Sequence, residues 1–159
     1  MTWTIVAFYK FLPLPRFASL RDGLLAFCGA EDLCGSILLA PEGINGTVAG
    51  MGGATDALLM YLSEDLGLGP IEVKTSFSDK RPFRKTRVKL KEEIVHLGRP
   101  DLNPATCPVG VEVEPRDWNR LLGEPGVRVI DTRNDFEVNT GTFVGAENPG
   151  TERFSEFTD

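Results

Sequence analysis

Two apolar runs, GSILLA (35–40) and INGTVA (44–49), are separated only by Pro41-Glu42-Gly43. A connection that tight predicts a hairpin, with the two runs side by side and antiparallel. The flanking segments fit around it. Residues 3–9 (WTIVAFY) are β-branched and aromatic and predict a first strand, broken by the prolines of FLPLPRF. A helix is expected from near Ser19, with Asp22 completing a capping box and Gly29 as its stop; Phe17, Leu20, Leu24 and Phe27 recur at helical spacing on one face. Gly-rich 50–53 leads into a second helix with a stripe of Leu58, Leu59, Leu62 and Leu66, ended by Gly67. Residues 71–77 (IEVKTSF) are the fourth strand. The order β-α-β-β-α-β is a split βαβ unit: four antiparallel strands with two helices on one face.

After the loop SDKRPFRK, residues 86–95 (TRVKLKEEIV) read as an extended strand with Val88, Leu90 and Glu92 on one side. Residues 98–108 hold three prolines and a glycine and read as a linker. Beyond it the pattern changes. Pro115 opens a short helix whose apolar face is Trp118, Leu121 and Leu122, closed by Gly123. Val127–Ile130 reads as a buried-type strand running into Asp131-Thr132-Arg133, followed by a loop bearing Gly141 and Gly145, then Asn148-Pro149 and a helical piece over 152–157. Helix, strand and loop in that order is how a parallel α/β domain begins. The expected organisation is a ferredoxin-like domain over 1–97, a linker over 98–109, and a partial second domain over 110–159.

An apolar content of 42 % fits a globular chain, and no apolar run approaches the about 18 residues of a membrane span. The N-terminus lacks the layout of a secretory signal, so a cytoplasmic protein without a membrane partner is expected. Cys28, Cys34 and Cys107 form no CxxC pair and His96 is the single histidine, so no zinc spacing can be assembled and no metal is expected. Cys28 and Cys34 fall where cysteine acts as a small buried hydrophobe, Cys107 lies in a loop, and His96 is given no role.

The net charge of −6 is unevenly spread. Residues 74–91 carry eight cations and one acid, a charge of +7, which leaves −13 on the remainder. Lys80, Arg81, Arg84, Lys85, Arg87 and Lys89 are therefore candidates to track a phosphate backbone, with Phe83 offering a stacking face. The alternative is a solvated edge strand blunted with lysines. Glu42 and Asn45, in the Pro-Glu-Gly-Ile-Asn-Gly turn, are candidates for a domain contact or a substrate; the same residues suit a plain turn, while Gly43 and Gly46 permit close approach of another segment. Asp131 and Arg133 would stand at the carboxyl edge of a sheet, as ligand contacts or as a buried salt bridge holding the loop.

Four stretches together carry a family likeness: ILLAPEGINGTVAG (37–50), PFRKTRVKLKEEIV (82–95), EPRDWNRLL (114–122) and IDTRNDFEVNTGTFVGAENPGTERFSEF (130–157). The last resembles the start of a rhodanese domain, and the set, in this order, resembles the rhodanese-domain tRNA uridine(34) hydroxylases. The resemblance implies an acylphosphatase-like ferredoxin-type α+β sandwich followed by the first part of a rhodanese-type α/β domain. It further implies hydroxylation of a wobble uridine to 5-hydroxyuridine, with molecular oxygen as co-substrate and the tRNA anticodon arm as partner; no metal or organic cofactor is evident in the residues themselves. In that family the active-site cysteine lies in a later loop, whereas all three cysteines here precede Asp131. The chain thus reads as a fragment without a catalytic residue of its own, whose apolar second-domain strand must bury itself against the first domain or a second copy. Competing expectations are acyl phosphate hydrolysis, which shares the β-α-β-β-α-β order, sulfur transfer by a longer rhodanese, and a non-catalytic binding module.

Overall fold

The computed structural model describes residues 2–99, 102, 107 and 110–158. Most of the linker expected over 98–109, including Pro100, Pro104 and Pro108, lies outside the described residues. The chain divides into two compact units, Met1–Val95 and His96–Asp159.

The first unit is built on β1 (Trp3–Phe11), α1 (Phe17–Ala30), β2 (Cys34–Ala40), β3 (Gly43–Gly50), α2 (Ala54–Met60), β4 (Glu72–Ser78) and β5 (Thr86–Leu90). The sheet order is β4-β1-β3-β2-β5, antiparallel throughout except for the parallel pair β2–β5. The fold is therefore the expected mixed α/β, acylphosphatase-like ferredoxin-type arrangement, with a fifth strand added at one edge. Alternation sorts each strand's side chains between two faces. Val6, Phe8, Ile37, Leu39, Ile44, Val48 and Val88 pack with Leu24 and Cys28 of α1 and Leu58 of α2 in one core. Full burial of each large side chain contributes about 1.5–3 kcal/mol. Burial pushes the Cys28 thiol up to about 11, so it stays protonated and acts as the small hydrophobe expected.

Several boundaries differ from the expectation, each for a local reason. The capping box of Ser19 and Asp22 does not form. Helix α1 starts at Phe17, because the backbone has already turned there: the Phe17 amide donates to the Leu14 carbonyl at 3.0 Å. The Ser19 hydroxyl instead donates back to the Arg16 carbonyl, and Asp22 pairs with Arg21. The helix runs past Gly29 and stops where Asp32 takes a left-handed φ of 47°. The second helix is α only to Met60 and continues as a π-turn over Tyr61–Asp65, keeping Leu58 and Leu62 on the core side. Strand β5 covers half of the expected 86–95. After Lys91 donates to the Leu39 carbonyl at 2.9 Å the chain leaves the ladder, and Ile94 turns inward and is buried.

In the second unit, α3 (Pro115–Leu122) begins at its proline and is followed by Gly123, as expected. The strand expected over Val127–Ile130 is reduced to one parallel bridge, Ile130 with Glu147, and Ile130 remains 48 % exposed. A lone bridge gives the segment too few ladder bonds to extend as a strand. The loop after Asp131 contains an unforeseen helical turn, α4 (Asp135–Val138), whose capping box joins Asn134 and Glu137. The last helical piece is a 3-10 turn over Phe154–Thr158.

Candidate nucleic-acid interface

The helices cover one face of the sheet, and the opposite face carries the basic residues. Cross-strand register aligns Lys74, Ala7, Thr47, Ser36 and Arg87 in a single row from β4 to β5. Small and hydroxyl-bearing side chains thus lie between two cations. Toward β5 the row opens into a groove of about 590 Å³ bordered by Ser36, Thr47, Phe83, Arg84, Lys85 and Arg87. One end of this face is closed by a small apolar cluster of Trp3, Cys34 and Ala49, against which Ile5 and Phe83 pack.

The six basic candidates separate by their partners. The Arg81 guanidinium lies 5.2 Å from the Trp3 ring centroid and 3.3 Å from the Asp32 carboxylate, so it is tied to its own fold. Arg84, Lys85, Arg87 and Lys89 are exposed and form no ion pair among the described residues. Lys80 belongs to a turn in which the Ser78 hydroxyl donates to the Lys80 carbonyl and accepts from its amide, with the ammonium left in solvent. Lys89 is paired in register with Leu38, on the same face as Arg87. Ser36, Thr47 and Lys74 were not singled out by sequence reasoning. The available signal was weak: Ser36 is the one polar side chain in GSILLA, Thr47 shares INGTVA with Asn45, and Lys74 sits among the polar residues of IEVKTSF.

Glu42 and Asn45 converge on the backbone of one residue, Ile94. The Ile94 amide donates to Glu42 Oε1 at 2.6 Å, and Asn45 Nδ2 donates to the Ile94 carbonyl at 3.1 Å. The pair clamps the chain where it leaves β5, and the burial of Ile94 anchors the same point. The close approaches at Gly43 and Gly46 are likewise internal. A Cβ on Gly43 would meet the Lys10 carbonyl at 2.0 Å, and one on Gly46 would meet the Phe8 ring at 2.7 Å.

Asp131 and Arg133 meet in the second unit, beside a cavity of about 520 Å³ lined by Trp118, Ile130, Thr142 and Phe143. Arg133 donates to the carboxylate from Nε at 2.9 Å and Nη2 at 2.6 Å, and the Thr142 hydroxyl donates at 2.7 Å. The Arg133 hydrogen bonds, then that of Thr142, hold the Asp131 carboxyl well below the usual carboxylate range. Arg133 also donates to the Gly141 carbonyl at 2.7 Å, so the pair ties the two ends of the loop together. A carboxylate with its lone pairs engaged in this way is a poor proton acceptor.

The chain is similar to several solved structures. An acylphosphatase from Coxiella burnetii shares 15 % identity over 55 % of this chain and 93 % of its own, with a TM-score of 0.40. An acylphosphatase from Bacillus subtilis shares 11 % over 56 % and 99 %, also at 0.40. BlrP1 of Klebsiella pneumoniae shares 15 % over 56 % of this chain and only 24 % of its own, at 0.45. Residues 3–94, more than half of the chain and nearly coincident with the first unit, match the family model of the UPF0176 acylphosphatase-like domain. The chain therefore belongs to the UPF0176 family, and this acylphosphatase-like domain is the N-terminal domain of the tRNA hydroxylase family.

Proposed function

We propose that this chain is part of an oxygen-dependent tRNA hydroxylase that forms 5-hydroxyuridine at wobble position 34, with the first unit contributing contact to the anticodon arm. The observation that carries the tRNA contact is the group of uncompensated cations, Arg84, Lys85 and Arg87, at the rim of the groove on the open sheet face. Cations without a carboxylate partner keep their full attraction for phosphate, and each phosphate contact releases counterions. No residue here is assigned the oxygen step. The buried, protonated Cys28 is unsuited to thiolate chemistry, and Asp131 is held as an ion-paired scaffold residue.

Titration of the chain with a tRNA bearing U34, at low and raised salt, tests this reading. Binding is expected to weaken steeply with salt. Replacing Arg84 and Lys85 together by alanine should lower affinity and make the log–log salt slope shallower by about 2. Absence of binding at low salt would overturn the RNA-contact part of the proposal.

Acyl phosphate hydrolysis is the second reading, favoured only by the fold. An anion cradle after the first strand needs free backbone N–H groups. Here the Leu12 and Leu14 amides donate to the Glu42 and Pro41 carbonyls, and Pro13 and Pro15 have none to offer. Release of phosphate from an acyl phosphate would restore that reading.

A further inference from the structure

Resting on the RNA-contact reading, the geometry points to a more specific ligand: an unpaired RNA segment lying across the open sheet face, with one nucleotide seated in the groove beside β5. Three independent features meet there. The groove, about 590 Å³, is within the usual 300–1,000 Å³ range of sites that enclose a small molecule, and its apolar wall is Pro82 and Phe83. A base exposes a π-face to such a wall only when it is not stacked within a helix.

The second feature is the floor. The Ser36 and Thr47 hydroxyls stand side by side in register, half-buried, and make no side-chain hydrogen bond among the described residues. They can donate to or accept from a base edge or a ribose 2′-hydroxyl. The third is the path. A smaller pocket of about 130 Å³, lined by Ala7, Tyr9, Asn45, Thr47, Lys74 and the acidic Glu72, shares Thr47 with the groove and carries the row on to β4. Tyr9 is 45 % exposed there, on the same face. From Arg87 to Lys74 the row crosses four inter-strand spacings, about 19 Å, with a cation at each end and a ring beside each pocket. A duplex offers its phosphates to the rim cations, but its stacked bases cannot enter the groove.

Anisotropy titration of the whole chain with a labelled uridine-rich single strand and with a blunt RNA duplex of equal phosphate count tests the inference. The single strand should bind at least about tenfold tighter at low salt. Ser36→Gln, which fills the floor without changing charge, should remove most of that preference, leave duplex binding unchanged and leave the salt slope unchanged. Phe83→Leu keeps the apolar packing against Trp3 and removes the ring, and should act in the same direction; circular dichroism confirms that each variant is folded. Equal binding of single strand and duplex, unmoved by either variant, would overturn the groove assignment while the RNA contact stands. No binding of either RNA at low salt would overturn the RNA contact itself.

Discussion

The two units of this chain use charge in opposite ways. In the first, an apolar core of fully buried side chains such as Leu24, Ile37, Ile44 and Leu58 supports the sheet, and the cations along β5 are left unpaired at the surface. In the second, the buried side chains among the described residues are Val138 and Thr151, and the charges are spent on one another: Arg120 with Asp117 and Glu124, Arg128 with Glu147, Arg133 with Asp131. Phe136, Phe143 and Val144 stay exposed there. The difference separates scaffold charge from available charge. Where burial supplies the stability, cations are free to meet a ligand; where local ion pairs and caps shape the loops, the same residue types are already engaged.

The most direct way to break this comparison is to remove packing from each side of it. Leu58→Ala should cost about 2–5 kcal/mol in urea unfolding, because Leu58 is fully buried between the helix and the sheet. Phe143→Ala, which removes a tilted ring contact with Trp118, should cost about 1 kcal/mol. Equal costs would mean that the second unit is organised around a core after all.

An effect smaller than that of Leu58→Ala, and confined to one segment, is expected at the clamp on Ile94. Glu42→Ala removes a charged hydrogen bond and should cost about 1.5–3 kcal/mol, felt as faster amide exchange at Ile94 rather than as global unfolding. Unchanged exchange would show that burial of Ile94 alone holds that segment.

The smallest effect sharpens the reading of the second unit. Asp131 has a lowered folded-state pKa, so the stability it contributes is fully present above its unfolded value of about 3.9 and is lost as the pH falls below it. Acid titration followed by Trp118 fluorescence, in a Trp3→Phe background, should lose its Asp131-dependent part in Asp131→Asn. Identical titrations for the two proteins would show that the Arg133 pair does not hold the loop.

Much of the first unit was legible in the residues, because its signals are local. The tight Pro41-Glu42 connection between β2 and β3, the leucine stripe at 58, 59, 62 and 66, and the burial of Cys28 and Cys34 all follow from spacing and residue type. Local signals also misled where context overrode them. The same kind of cap pattern occurs at Ser19–Asp22 and at Asn134–Glu137, yet only the second is realised, since the chain before Ser19 had already turned at Leu14. Val127–Ile130 has the composition of a strand, but a ladder needs a partner, and here a single bridge is formed.

The residue pattern alone carried the order of elements, the two apolar helix faces and the concentration of positive charge between Lys74 and Lys91. It did not carry which cations are free, nor what lies between them. Arg81 and Arg84 are three positions apart, yet one is held by Trp3 and Asp32 and the other rims the groove. Lys74, Thr47, Ser36 and Arg87 come from four different strands and share a row only through cross-strand register. Register is a relation between distant segments, set by how the core side of the sheet packs, and so it emerges only when the chain is folded.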